Sequence, residues 1–285
     1  MPGDKIAIDE GHIQKATTIF PLLLEELRQI ADRGGQKAVV CVCGGSGVGK
    51  SEIASILGYY LEAVGIGAYV LSGDNYPHRI PLYNDAERLH IFRESAIRGM
   101  IKEGVYQEAY FQEIRQWQEE FTDADKSHID GHPWFEAYIK HGRKGLAGYL
   151  GTEKEIDFDE VSDILRRFHE GERDLFLKRM GRTDTELWYE SVDMSRKEVL
   201  LLEWTHGNND LLQGVDIPIL LNSTPEETLA HRRARNRDGQ TDSAFTTMVL
   251  EIEQNLLRSQ AHKAHIILAK SGALLSLEEL GQLDS

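Results

Sequence analysis

Gly44-Gly45-Ser46-Gly47-Val48-Gly49-Lys50-Ser51 satisfies the spacing G-x-x-x-x-G-K-[ST], with an apolar run, Ala38 to Cys43, before it and a helix-compatible run, Ser51 to Val64, after it. In a strand–loop–helix of this kind the glycines let backbone N–H groups fold into an anion nest, and the helix N-terminus adds its positive end. Lys50 can then reach β- and γ-phosphates, and the Ser51 hydroxyl can hold Mg²⁺. The eight residues Gly44, Gly45, Ser46, Gly47, Val48, Gly49, Lys50 and Ser51 are therefore expected to bind a nucleoside triphosphate.

Two carboxylates end apolar runs and could complete such a site. Asp74 follows Ala68-Tyr69-Val70-Leu71-Ser72 and can act as general base toward an attacking hydroxyl. Glu203 ends Val199-Leu200-Leu201-Leu202 and can join Ser51 in holding Mg²⁺. A third feature is the run His231-Arg232-Arg233-Ala234-Arg235-Asn236-Arg237, four arginines within six residues of an acidic chain. It follows a turn in which Ser223 or Thr224 can cap a helix beginning near Pro225. Arginines carried on such a lid, Arg233 and Arg237 among them, could close over the triphosphate and neutralise the transferred phosphoryl group.

The elements that must position these groups read as a parallel sheet. Apolar runs without alternation recur at 38–43, 68–72, 199–203, 217–221 and 264–268, separated by helical patterns, as in a sheet covered on both faces. Ligands of such sheets bind at the carboxyl ends of the strands, where Ser51, Asp74 and Glu203 fall. Residues 1–36 read as an appended helix, with Phe20, Leu23, Leu24, Leu27 and Ile30 on one face and a stop at Gly34-Gly35. Asp85 to Leu150 is a helix-rich insertion with a break at Gly104, Asp159 to Phe168 a further helix, and Leu175–Met180 with Leu187–Val192 a short strand pair.

Composition narrows the partners. With 285 residues and 41% hydrophobic content the chain can bury a full α/β core, and a formal net charge of −15 opposes a broad footprint on nucleic acid or anionic membrane. No apolar run approaches a membrane span and no signal pattern opens the chain, so a soluble cytoplasmic protein is expected. Self-association into a homo-oligomer stays open. Cys41 and Cys43 read as buried core thiols, and His128 with His132 lacks a third metal ligand.

From about Ala38 to Lys270, interrupted by the insertion, the chain resembles the phosphoribulokinase/uridine kinase group of P-loop kinases. Ser72-Gly73-Asp74-Asn75-Tyr76 looks like that family's strand-end motif, His78-Arg79 is similar to its phosphoribulokinase version displaced by one residue, and Leu201-Leu202-Glu203 resembles its Walker B segment. Trp204 departs from the glycine expected after Glu203. The resemblance implies a three-layer αβα P-loop NTPase fold with a mostly parallel five-stranded sheet, a kinase domain over 37–285, an insertion at 85–150, an arginine lid at about 226–245 and a substrate-binding hairpin. It also implies that Tyr76, His78, Arg79, Lys178, Arg179 and Arg182 face the acceptor, and His206, which follows the strand ending in Glu203, could touch acceptor hydroxyls. Three cations in five residues of the hairpin suggest an anionic acceptor.

The expected activity is ATP- and Mg²⁺-dependent transfer of a γ-phosphoryl group to a hydroxyl of a small metabolite: a nucleoside, a sugar or a sugar phosphate. Asp74, Lys50, Arg233 and Arg237 would be the catalytic residues. An adenylylsulfate kinase-like enzyme is the alternative within the same chemistry. A nucleotide-dependent regulatory NTPase is the alternative outside it, although no N-K-x-D motif occurs and no D-x-x-G lies downstream of the loop.

Overall fold

The unalternated apolar runs become five parallel strands in the computed structural model of the protein, which describes residues 6–229 and 243–282. Numbered in chain order, β1 is Ala38–Gly44, β2 Ala68–Ser72, β5 Val199–Glu203, β6 Ile217–Leu221 and β7 Ile266–Leu268. Their order is β2-β5-β1-β6-β7 and every pairing among them is parallel. The intervening β3 (Asp174–Met180) and β4 (Leu187–Asp193) form a separate antiparallel hairpin.

Alternating side chains of β1 serve two cores, as a sheet covered on both faces requires. Val40 and Val42 meet α1 (Glu10–Asp32) and α2 (Lys50–Ala63), while Val39, Cys41 and Cys43 meet α6 (Phe158–His169). The N-terminal helix is thus part of the domain core: Ala16, Ile19 and Leu23 are fully buried, and α1 starts at Glu10 behind an Asp9 capping box. Both thiols are free and buried, and burial pushes that of Cys43 up to about 12.

The insertion begins earlier than the sequence suggests, because α3 runs unbroken over Pro81–Glu103, with Pro81 in its first turn and a left-handed Gly104 at its end. With α4 (Phe111–Glu119) and α5 (Phe135–Ala147) it encloses a third core around Phe92, Trp117, Phe135 and Tyr138, to which Met248 and Ile252 of α7 (Ala244–Ser259) contribute. His128 stacks on Trp117 at 4.2 Å, an aromatic packing role. A short α8 (Leu277–Gln282) ends the described chain. No helix among the described residues is long and apolar enough to cross a membrane.

One ion pair locks the insertion. Asp123, 2% exposed, accepts two hydrogen bonds from Arg93 (2.9 and 2.8 Å) and one from the Tyr138 hydroxyl (3.0 Å). Removing the acid strands a guanidinium that has lost most of its water, so Asp123→Ala should destabilise the protein by about 2–4 kcal/mol. Chemical denaturation followed through the tryptophans measures it, and a loss below about 1 kcal/mol would contradict this role for the pair.

Candidate active site

The loop after β1 is shaped by backbone proximity. A Cβ on Gly44 would lie 2.5 Å from the Leu221 carbonyl oxygen at φ 150, so only glycine lets β1 turn this close to β6. Gly49, at φ 100, caps α2, and a Cβ there would strike the His12 ring of α1 at 2.7 Å. Lys50 opens α2 and its Nζ donates to the Gly45 carbonyl at 3.0 Å, holding the ammonium over the loop.

Sheet register assembles the rest. Glu203 is the register partner of Val42 on one side and Ser72 on the other, so the tips of β1, β5 and β2 end level. The Ser51 hydroxyl donates to Glu203 Oε2 at 3.0 Å, and Asp74 sits two residues past Ser72 in the one-turn helix Gly73–Asn75. Burial, then the charge of Asp74, push the Glu203 carboxyl above the usual range, while Lys50 and Ser51 pull it back. Two close carboxylates and a hydroxyl at a strand tip are the oxygen donors that a hard divalent cation takes.

Trp204 resolves the departure at the Walker B segment. Its N–H still donates to the Val42 carbonyl (3.0 Å), and its ring fills the space where Gly73 has no side chain, 2.1 Å from a hypothetical Cβ. The large residue after Glu203 is thus accommodated by the glycine before Asp74.

A cavity of about 620 Å³ opens beside this constellation, reached by Ser46, Asp74, Trp204 and His206 from the sheet tips, Arg79, Asn84 and Arg88 from the start of the insertion, and Glu253 from α7. Its polar wall is one hydrogen-bonded chain. Arg79 donates to the Tyr149 hydroxyl (3.1 Å), Tyr149 to Asn84 (3.2 Å), and Asn84 to Glu155 (2.9 Å). Arg88 meets Glu155 at 2.7 Å and Glu253 at 3.8 Å. Burial pushes the Glu253 carboxyl upward against the pull of Arg88, and burial lowers His206 to about 4.

The expected site residues divide accordingly. The loop, Lys50, Ser51, Asp74 and Glu203 converge, and Arg79 and His206 line the adjoining cavity. Tyr76 is fully buried in the core below, and His78 is exposed against the Glu153 carbonyl. The hairpin cations do not line the cavity: Lys178 donates to the Pro77 carbonyl, Arg179 is held by Glu190 (2.9 Å) and Tyr69 (2.7 Å), and Arg182 lies exposed near the hairpin turn. Arg233 and Arg237 lie outside the described residues. Thr224 and Glu227 exchange capping bonds where a helix opens at 225–229, the start of the expected lid. Asn84, Arg88, Glu155 and Glu253 escaped sequence reading, since no local motif joins them.

No family model matches the chain. A curated protein, the bifunctional alpha-galactosidase/sucrose kinase AgaSK of Mediterraneibacter gnavus, is 38% identical over 253 residues, or 88% of this chain. The chain spans 22% of that relative's length. Among solved structures, the YGR205w protein matches with a TM-score of 0.51 at 10% identity, covering 92% of this chain and 96% of its own. The chain shares the fold of that protein. D-glycerate 3-kinase from Cryptococcus neoformans var. grubii gives a TM-score of 0.47 at 10% identity, covering 94% and 99%.

Two outcomes test this geometry. Gly73→Ala should cost about 1–3 kcal/mol in the native chain and under ~1 kcal/mol in a Trp204→Gly background, because the clash needs both partners. A double-mutant cycle by chemical denaturation reads the coupling, and additive losses would refute it. For His206, the folded pKa of about 4 lies below its ordinary 6.5, so the unfolded chain takes the proton first as pH falls. Its contribution is fully present above about pH 6.5 and is lost toward pH 4, amounting to about 2–3 kcal/mol. The stability gap between native and His206→Asn proteins should therefore shrink in the native protein's disfavour over that window, and a pH-independent gap would contradict the assignment.

Proposed function

We propose that the chain is an ATP- and Mg²⁺-dependent kinase that transfers the γ-phosphoryl group to a hydroxyl of a neutral carbohydrate, sucrose or a sugar like it. One observation carries the reading: the Asp74 carboxylate, with no hydrogen-bond or ion-pair partner among the described residues, stands between the triphosphate loop and the cavity. A general base needs that freedom, because a lone pair already committed to a neighbour is a poorer acceptor for the substrate proton.

Lys50 and the loop amides hold the β- and γ-phosphates, and Asp74 orients the acceptor hydroxyl. As the acceptor oxygen bonds to γ-phosphorus and the bond to the ADP oxygen breaks, Asp74 takes the hydroxyl proton. Ser51 and Glu203 would hold Mg²⁺, which supplies neutralising charge to the phosphate oxygens when bound; the raised Glu203 carboxyl beside Asp74 is a pair whose repulsion a cation relieves. The arginines at 232–237 are the candidates for closing the site, as the sequence suggests.

The wall supports a neutral acceptor. Four carboxylates (Asp74, Asp85, Glu155 and Glu253) face the cavity against two guanidiniums, Arg79 and Arg88, each engaged by an acid. Among the described residues an anionic acceptor would meet more acids than guanidiniums, whereas sugar hydroxyls can both donate to carboxylates and accept from guanidiniums. The sucrose kinase in the relative's name supports the same class.

Mass spectrometry of reactions with Mg-ATP and sucrose, uridine or D-glycerate tests the proposal. A sucrose monophosphate is expected, with Asp74→Asn lowering kcat by roughly 10² to 10⁴ while the ATP KM changes little. Phosphorylation of uridine or D-glycerate in preference to sucrose would overturn the acceptor class, and a variant keeping most of its kcat would remove Asp74 as base.

A further inference from the structure

Phe121 is the only non-glycine residue among those described with a positive φ, 56°, and it is 58% exposed at the lining of the acceptor cavity. Either property alone is unremarkable, since single exposed apolar side chains are common. Together they are not. A bulky residue in the left-handed region is strained, a strain that glycine or asparagine would avoid in this turn, and the cost brings no burial in return.

The turn that imposes this conformation is rigid. Arg93 donates to the Gln118 carbonyl (2.8 Å) while its guanidinium grips Asp123, and the Thr122 N–H closes on the Trp117 carbonyl at 2.9 Å. The Arg93 guanidinium also lies over the Phe121 ring, 5.5 Å from its centroid, bracing one face. The ring is therefore presented at a fixed place with apolar surface open to the cavity.

We propose that Phe121 is a stacking platform for the acceptor, receiving the apolar C–H face of a carbohydrate ring while Arg79, Asn84 and Glu253 of the same cavity engage its hydroxyls. This rests on the carbohydrate-kinase reading above and assigns it a specificity-determining residue. Ring sugars present a flat array of C–H groups on one face, which an aromatic surface desolvates; open-chain polyols of equal hydroxyl content present none. The platform thus discriminates cyclic from acyclic acceptors, and the helical insertion, which supplies both Phe121 and part of the polar wall, builds the acceptor site.

Phe121→Gly and Phe121→Trp test this, with sucrose and the open-chain alditol sorbitol as probes. Glycine relieves the left-handed backbone, so Phe121→Gly should keep or raise the melting temperature while raising the sucrose KM by roughly tenfold, leaving the ATP KM unchanged and reducing the preference for sucrose over sorbitol. Phe121→Trp should stay within about threefold of the native sucrose KM, because it keeps a π-face. If the native protein phosphorylates sucrose and Phe121→Gly has an unaltered sucrose KM, the platform falls and the kinase reading stands. If calorimetry detects no sucrose binding to the native protein, and no carbohydrate is phosphorylated, both fall.

Discussion

Everything at the site depends on where the Glu203 carboxylate sits. It is nearly buried at the tip of the strand between β1 and β2, hydrogen-bonded to Ser51 at 3.0 Å, and in register with Val42 and Ser72. That single position ties the phosphate loop, which leaves β1, to the candidate base, which follows β2. A one-residue slip in either pairing would turn Glu203 to the other face and separate the two halves. The apolar runs therefore do more than fill a core: by fixing register from both sides, they fix the distance between the glycine loop and Asp74.

Around that fixed centre, the cavity wall is assembled from distant segments. Arg88 comes from α3, Glu155 from the loop closing the insertion and Glu253 from α7, and they meet because the third core packs α7 against α3 and α5. Glu155 is fully buried, so the surrounding donors, Arg88, Asn84 and the Gly151 amide, are what make its charge tolerable. Loss of one member would leave a charged partner unsatisfied, which ties the shape of the cavity to the completeness of the network.

The sheet and the glycine loop after β1 were legible in the sequence because both are local signals: uninterrupted apolar runs, and a loop whose residue types are dictated by backbone sterics. Asp74 and Glu203 stood out by position, as polar ends of those runs, and the structure brings them together beside Ser51. The cavity wall was not legible, since Asn84, Arg88, Glu155 and Glu253 become neighbours only through tertiary packing. The hairpin cations lie away from this cavity for a physical reason. Consecutive strand residues point to opposite faces, so Lys178 and Arg179 cannot converge on one ligand, and each finds a protein partner instead. The N-terminal helix reads as an appendage because its apolar stripe says only that it packs, and Ala16, Ile19 and Leu23 show that it packs on the central sheet.

The central claim is that Asp74 and the loop act on one acceptor hydroxyl across a shared cavity. The most direct measurement is the partition of the labelled γ-phosphoryl of ATP between sucrose and water in a single turnover, with native and Asp74→Asn protein compared. Label should pass to the sugar in the native protein, in step with ADP, and the variant should lose transfer while still binding nucleotide. Label released to water at the same rate with and without sugar, in both proteins, would contradict it.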